Sequence, residues 1–327
     1  MAQTLSDNSL QAVFLDQIRN RLSDKVSFAD VLAELLQVSR DSAYRRIRGE
    51  TVLSLDEAKK LCERFGVSID ALLSPSVNTS LFHHRALSTN YTLERWLRSV
   101  RKNFEHINSF PDKEMIFAAR DMPTIQNFRF PELCAFKMFF WLKTVIKDPG
   151  YAQQLFSQDA IPVDFVKAAN KLWKLYATVP STEIWSEEAI NETLKQIEFY
   201  YDCNFFLEKD QSANLCDKLI ELLSLIKREA SEGQKVNGAE FRLYKNEILI
   251  ANNTVLARRD NKRIVFINYN TLSLLTTFQE SFCDKTEKYL SNLTKNSVLI
   301  STSAERERNK FFNNMKKRVT DFKNRLG

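Results

Sequence analysis

The chain has 327 residues, of which 44% are hydrophobic and 27% charged. At roughly 100–200 residues per domain, this length allows two or three domains, each with its own core. The six glycines stand far apart, so the glycine-rich nucleotide-binding patterns G-x-G-x-x-G and G-x-x-x-x-G-K are absent. With three histidines and five scattered cysteines that form no C-x-x-C pair, the sequence predicts no metal site and no cofactor.

The formal net charge is +6, which is compatible with a nucleic-acid partner but does not establish one. Scattered cysteines are typical of proteins in a reducing compartment, so we expect a cytoplasmic location. The longest apolar stretch, Cys134 to Ile146, is interrupted by Lys137 and Lys143. It is also shorter than the ~20 residues that a membrane-spanning helix needs. The sequence therefore predicts no membrane partner.

Near the N-terminus, residues 11–73 show apolar side chains at helical spacing almost throughout. The third of the predicted helices runs from Arg40 to about Arg48, with Ser39 as its N-cap and Gly49 at its end. A tight turn joins it to the second helix. Five short helices arranged in this way are typical of a helix-turn-helix domain. The last of them is predicted to contain Ile69, Leu72 and Leu73.

A family resemblance rests on three segments in this part of the chain, Leu32–Arg40, Arg45–Glu50 and Ser54–Leu73. In order and spacing they resemble the Cro/C1-type (XRE) helix-turn-helix family. The resemblance covers about residues 8–75 and implies a DNA-binding domain at residues 8–74. It also implies a bacterial transcriptional regulator whose recognition helix, residues 40–48, lies in the major groove of double-stranded DNA, and whose domains bind as dimers.

Two residues depart from the family pattern. Gln37 stands in the turn where the family usually has glycine, and a left-handed conformation there would cost ~1 kcal/mol or somewhat more. Arg46 stands where the family usually buries an apolar side chain. Because Ala43 and Ile47 are four residues apart, they can share the buried face instead. We therefore expect Arg46 to point toward solvent or the DNA backbone.

The recognition helix supplies the predicted site residues. By the resemblance, Arg40, Asp41 and Arg45 reach base edges, with Tyr44 as a neighbour. Asp41 either accepts from a cytosine amine or pairs with Arg45 one helical turn away. The residues predicted to contact phosphates are Ser39, Ser42, Arg46 and Arg48. Two other interpretations stay open, that the arginines form only a solvated helix face, or that the domain binds a protein instead of DNA.

The remainder of the chain begins with a predicted linker, residues 75–82. Residues 83–327 are predicted to form a mainly helical α+β region with a short antiparallel sheet, and a subdivision near residue 233 is left open. The predicted helices lie near residues 90–108, 131–147, 162–177, 186–202, 211–231, 271–295 and 303–326. The predicted strands lie at residues 114–119, 241–244, 248–250, 255–257, 264–267 and 298–300.

The sequence as a whole predicts a sequence-specific DNA-binding transcriptional regulator. It does not predict an enzyme, because we recognise no catalytic motif in the large C-terminal region. We expect that region to supply homodimerisation and to sense a small-molecule or protein effector. Two alternatives remain at this point. The C-terminal region could be catalytic, with the helix-turn-helix placing it on DNA, or the protein could be an antitoxin-like adaptor that binds another protein.

Overall fold

The computed structural model describes residues 9–22, 26–69, 72, 80–84, 92–248, 250–259 and 262–326. The chain divides into two units, residues 1–81 and 82–327, which we call the small and the large unit. Most of the predicted linker and of the predicted fifth helix lies outside the described residues. None of the described helices combines the length and the apolar character that crossing a membrane requires.

Four described helices form the small unit: α1 (Leu10–Arg19), α2 (Phe28–Leu36), α3 (Arg40–Ile47) and α4 (Leu55–Phe65). Each begins after a serine whose side chain accepts a backbone N–H of the first turn, which satisfies a donor that the helix leaves unpaired. Helices this short are marginal alone, so their mutual burial stabilises them. The core residues with no exposed surface are Ile18, Leu32, Ala43 and Leu61.

The turn between α2 and α3 has the conformation that the sequence predicts. Gln37 ends α2 with φ 56° and ψ 44°, in the left-handed region. The next backbone N–H, of Val38, donates to the Ala33 carbonyl over 3.0 Å. At the position where the family usually has glycine, Gln37 therefore adopts the left-handed backbone conformation, at the steric cost given above.

The large unit is an α+β structure. In chain order, its helices and strands are β1 (His83–His84), α5 (Leu93–Asn108), β2 (Lys113–Ala119), α6 (Pro131–Phe140), α7 (Val163–Ala177), β3 (Ser181–Trp185), α8 (Asn191–Asp202), α9 (Asp210–Glu232), β4 (Phe241–Lys245), β5 (Thr254–Arg259), β6 (Lys262–Asn268), β7 (Leu274–Thr277), α10 (Glu280–Lys295), β8 (Val298–Leu299) and α11 (Glu305–Leu326). A π-helical segment, Trp141–Ile146, extends α6, and a 3₁₀ turn, Glu187–Ile190, precedes α8.

All of the described strands belong to one sheet in the order β1-β7-β6-β5-β2-β3-β4-β8. The strands β2, β3 and β4 run parallel, and the remaining pairs are antiparallel. The prediction of a short antiparallel sheet is therefore wrong, because the sheet has eight strands and is mixed. Residue 233, where a subdivision was left open, lies between strands of this same sheet.

The sequence does not predict β3, because its residues Ser-Thr-Glu-Ile-Trp do not show the alternation of a strand. All five side chains are buried. The carboxylate of Glu183 is fully buried and accepts hydrogen bonds from Tyr176 Oη, from Ser181 Oγ at 3.0 Å and from Trp185 Nε1 at 2.9 Å. These donors make burial of the charge tolerable. A central strand thus contains an acidic residue, although such a residue in a sequence is typical of an exposed position.

Two further predictions are wrong. The segment 271–295 was predicted as one helix, but Leu274–Thr277 pairs with β6 as strand β7 and the helix begins only at Glu280. Residues 248–250 were predicted as a strand. There, the side chain of Asn246 accepts the N–H of Ile248 over 2.6 Å and forms a turn, so the chain leaves the sheet after Lys245.

Helices cover both faces of the sheet. On one face, α6, α9 and α11 pack in the largest core, which includes Phe136, Trp185 and Phe312. On the other face, α10 contributes Cys283 and Leu290 to a smaller core. Phe136 and Phe139 of α6 are thus core residues. When both faces of a sheet are covered, the side chains on both sides of a central strand are buried. All five side chains of β3 are buried in this way.

Gly233 ends α9 with φ 69°, and a Cβ placed there would overlap Cγ2 of Thr302. Gly238 has φ 81° but open space around it. We predict that Gly233→Ala lowers the free energy of unfolding by about 2–5 kcal/mol, from a left-handed cost of ~1–2 kcal/mol and an overpacking cost of ~1–3 kcal/mol. Gly238→Ala incurs only the first cost. Urea unfolding followed by circular dichroism measures both.

Thr302→Ser supplies the control, because serine lacks the Cγ2 methyl. In that background the loss caused by Gly233→Ala falls to that of Gly238→Ala. Equal losses for the two glycine variants in the native background would contradict the close approach.

Candidate nucleic-acid interface

The orientation of α3 is fixed by two features of its own sequence. Ser39 caps the helix, with its Oγ accepting the N–H of Ser42 over 3.2 Å. Ala43 is completely buried, and Ile47 packs partly buried against the same core. Because a helix turns about 100° per residue, burying positions 43 and 47 directs positions 41, 45 and 48 away from the core. Positions 40 and 44 lie at the edge of the buried stripe and are exposed there. The expectation that Ala43 and Ile47 share the buried face is confirmed.

The four side chains predicted to reach base edges lie together on this outward face. The side chains of Arg40 and Arg45 are 62% and 55% exposed, and Tyr44 and Asp41 are exposed as well. The Arg40 guanidinium lies over the ring of Tyr44, 5.8 Å from its centroid. The face therefore presents planar cationic groups and an aromatic ring to solvent. Their contact with base edges stays a prediction.

Acidic residues that the sequence analysis did not single out neutralise these arginines. Arg40 Nε lies 2.9 Å from Asp30 Oδ1, on α2. Glu50 accepts hydrogen bonds from Arg48 Nε at 2.6 Å and Nη2 at 3.0 Å, and it lies 3.8 Å from Arg45 Nε. The hydrogen bond from Arg48 lowers the pKa of Glu50, and the same bond raises the pKa of Arg48. Exposed pairs of this kind are weak, so a nucleic-acid phosphate can replace the carboxylate.

Asp41 does not form the ion pair that the sequence left open. Among the described residues, the carboxylate nearest to the Arg45 guanidinium belongs to Glu50. Asp41 lies in the first turn of α3, where a carboxylate interacts favourably with the helix dipole. The remaining interpretation of Asp41 from the sequence, an acceptor for a cytosine amine, stays a prediction.

The placement of Arg46 corrects the sequence analysis. Its side chain is only 15% exposed and does not face solvent. Nη2 lies 2.8 Å from Glu57 Oε1 on α4, and Nη1 donates to the Ser42 carbonyl over 3.2 Å. Burial alone would raise the pKa of Glu57, but hydrogen bonds from the Ser54 backbone and from Arg46 lower it. Arg46 therefore joins α3 to α4, and its phosphate contact stays a prediction.

The two serines predicted to contact phosphate lie at the N-terminus of α3. Their hydroxyls are hydrogen-bonded to each other, with Ser39 Oγ donating to Ser42 Oγ over 3.0 Å. The Ser39 hydroxyl is thus part of the helix cap. Their phosphate contacts stay predictions, as does that of Arg48, whose side chain is 52% exposed.

Gln11 is a positioning residue that sequence analysis did not identify. Its amide nitrogen donates to the carbonyls of Arg46 at 2.9 Å and Thr51 at 2.8 Å. Its amide oxygen accepts the N–H of Leu53 over 2.9 Å. One side chain of α1 therefore fixes the end of α3 and the loop after it. Polar contacts between residues 35 to 42 positions apart leave no periodic signal in a sequence.

The charge of the small unit is balanced. Residues 9–72 contain ten basic and ten acidic residues, so the net charge of +6 arises outside this segment. Basic charge within the segment is concentrated on α3, which has three arginines, Arg40, Arg45 and Arg46, and one acid. The described residues contain no group of His, Cys, Asp and Glu that could hold a metal ion.

Comparison with known proteins agrees with this geometry. A family model described as helix-turn-helix matches residues 30–72, which span α2, α3 and α4. The small unit contains a helix-turn-helix of the Cro/C1 type. The match covers about an eighth of the chain and indicates a DNA-binding module of the kind found in transcriptional regulators. No curated protein and no solved structure gives a significant match to the chain.

We predict that Arg46→Ala destabilises the helix-turn-helix by about 1–2 kcal/mol, because it leaves the half-buried Glu57 carboxylate without its cationic partner. Hydrogen–deuterium exchange of peptides from α3 and α4 in the full chain measures this change locally. Arg45→Ala is the matched control, since an exposed arginine should shift stability by less than about 0.5 kcal/mol. Equal protection in the two variants would contradict the structural role of Arg46.

Proposed function

We propose that this protein is a cytoplasmic, sequence-specific DNA-binding transcriptional regulator. The observation that supports it is the outward face of α3, where Arg40, Tyr44 and Arg45 are exposed on a helix that Ala43 and Arg46 hold in place. An exposed, rigid helix of this size fits the major groove of B-DNA. The helix-turn-helix match supports the same role.

In this proposal, the exposed arginines read the sequence. An arginine can donate two hydrogen bonds to guanine O6 and N7, which is worth ~1–3 kcal/mol of discrimination. Arg40 and Arg45 would make these contacts, and Arg48, at the end of α3, would hold a phosphate. Binding then requires Asp30 and Glu50 to release their arginines. Because these acids oppose the general attraction of a cationic helix to any phosphate backbone, they favour sites where the base contacts are correct.

We predict that Arg40→Ala and Arg45→Ala broaden the range of DNA sequences that the protein selects from a random pool. The reason is that each substitution removes a side chain assigned to a base edge. Arg48→Ala should instead weaken binding to all sequences alike and lower the steepness of the salt dependence. Sequencing of the selected DNA measures the sequence preference. Titration of the selected DNA sites with protein at two salt concentrations measures the affinity and its salt dependence.

Lys59→Ala is the matched control for this experiment. Lys59 is an exposed cation of α4 whose ion pair, with Glu63 at 4.0 Å, lies within its own helix. It should change neither selection nor affinity by more than about twofold, a change of ~0.4 kcal/mol. An unchanged sequence preference in Arg45→Ala would contradict the assignment of base contacts.

We also propose that the large unit supplies homodimerisation and a sensing function, and that it is not catalytic. The balanced charge of residues 9–72 supports the first part, since phosphate contacts from one such domain give little non-specific affinity. Two domains on half-sites about one helical turn apart would add their contacts. The absence of a catalytic motif in the sequence supports the last part.

We predict a particle of twice the chain mass in multi-angle light scattering at the concentrations at which DNA is bound. The measurement is made with and without a selected DNA site. A monomer that binds a single half-site with full affinity would contradict dimerisation while leaving the DNA-binding proposal intact.

A further inference from the structure

The large unit contains a polar cavity of about 440 Å³. It lies where the three parallel strands end. Arg120 and Asp121 follow β2, Glu188 follows β3, and Asn246 follows β4. The strand ends are level, because Ala119 is paired with Trp185 and Trp185 with Lys245 in the register of the sheet. The carboxyl ends of parallel strands are where α/β proteins bind ligands. The volume falls within the usual range of ~300–1,000 Å³ for small-molecule sites.

Three cations that line this cavity have no acidic partner. Arg120, Lys195 on α8 and Arg318 on α11 line it, and within the described part of the large unit none of them forms an ion pair. Lys245 differs, because the carboxylates of Glu187, Glu247 and Glu307 lie within 3.8 Å of its Nζ. Elsewhere in this unit, cations such as Arg263 and Arg258 are paired. Within the described residues, the three cations of the cavity are thus without an ion pair, although the charges of Arg120 and Lys195 oppose the rise that burial causes in the pKa of the nearby Asp121.

The same cavity is also lined by two carboxylates, Asp121 and Glu188, that lack a partner among the described residues. Asp121 is half-buried, and among the described residues nothing donates a hydrogen bond to its carboxylate. Burial, together with the nearby charge of Glu192, raises its pKa. Glu188 is exposed and also has no cationic partner among the described residues. Such carboxylates are acceptors for the hydroxyl groups of a ligand.

The wall behind this cavity is polar and rigid. Lys137 of α6 is buried, and its Nζ donates to Thr193 Oγ1 at 2.9 Å and to Gln196 Oε1 at 2.6 Å, both on α8. Burial lowers its pKa to about 8, while the charges of Glu192 and Asp121 act in the opposite direction. A buried ammonium that interacts with lining carboxylates fixes α8, which carries Lys195, relative to α6. The cavity is open to solvent at Lys195 and Arg318, which are exposed, and its lining helix α8 is anchored to the core by Lys137.

We propose that this cavity binds a phosphorylated metabolite with free hydroxyl groups, such as a sugar phosphate or a nucleoside monophosphate. Lys195 and Arg318 would hold the phosphate, since guanidinium and ammonium groups bind phosphate oxygens through charge-assisted hydrogen bonds. Asp121 would accept hydrogen bonds from the sugar hydroxyls. An apolar ligand does not fit, because the lining is almost entirely charged or amide-bearing. The proposal does not rest on DNA binding.

Isothermal titration calorimetry of the full chain tests the proposal with ribose 5-phosphate and adenosine monophosphate as probes. At least one of them should bind with a Kd below about 1 mM, and ribose or inorganic phosphate alone should bind at least tenfold more weakly. Failure of both esters to bind at this level overturns the proposal. Binding of inorganic phosphate as tight as that of the esters overturns the role of the hydroxyls.

Variants locate the binding. Arg318→Ala and Lys195→Ala should each weaken the ester at least tenfold, or about 1.4 kcal/mol. Lys317→Ala is the matched control, because it removes an exposed cation of α11 that does not line the cavity. Asp121→Asn should weaken the ester but not inorganic phosphate. All four substitutions lie at exposed or half-buried positions, and circular dichroism verifies that each variant is folded.

The arginines of α3 are the competing phosphate ligands in the chain. A variant with both Arg45→Ala and Arg48→Ala should therefore bind the ester as the native chain does. Loss of ester binding in that variant, or its retention in Arg318→Ala and Lys195→Ala, would place the phosphate at the helix-turn-helix and overturn the proposed cavity site.

Discussion

The Arg46–Glu57 pair is the constraint on which the DNA-binding face depends. Of the arginines in and next to α3, one is drawn inward by a carboxylate 2.8 Å away, while the others stay exposed. Together with the fully buried Ala43, this pair fixes the rotation of α3 about its own axis. A rotation by one residue would turn about 100° of helix surface, and it would exchange Arg45 for Arg46 on the outer face. Glu57 of α4 thereby decides which arginines of α3 are exposed.

A comparable constraint organises the large unit. Glu183 is fully buried in the middle of the sheet and is satisfied by Tyr176, Ser181 and Trp185. Buried polar groups with all their partners in place favour one arrangement over others of similar compactness. Another register would carry Ser181 and Trp185 along with Glu183 but would separate its carboxylate from Tyr176. The register of β3 with β2 and β4 brings their carboxyl ends to one level, and that alignment forms the cavity.

The parts of this structure that were predictable are those with local causes. Serine caps, the left-handed turn at Gln37 and the burial of Ala43 and Ile47 all follow from residues close in sequence.

The inward placement of Arg46 depends on Glu57, eleven residues away on another helix, and so the sequence assigned it to solvent. Strand β3 was missed because its residues do not alternate and because it contains the buried Glu183. Strand β7 was predicted as part of a helix because Leu272, Leu274 and Leu275 are compatible with either a helix or a strand. The polar cavity combines residues from five separate elements, which no spacing rule connects.

The sharing of Glu50 between two arginines has a consequence of its own. This carboxylate binds Arg48 through two hydrogen bonds and lies 3.8 Å from Arg45. In the proposed binding mode, a phosphate that captured Arg48 would free Glu50 to move fully onto Arg45, and a guanine that captured Arg45 would return it to Arg48. Recognition of the bases and attachment to the backbone would then be thermodynamically coupled through a single acid. Free-energy changes from substituting the two arginines will not add, and the non-additivity will vanish when Glu50 is neutralised.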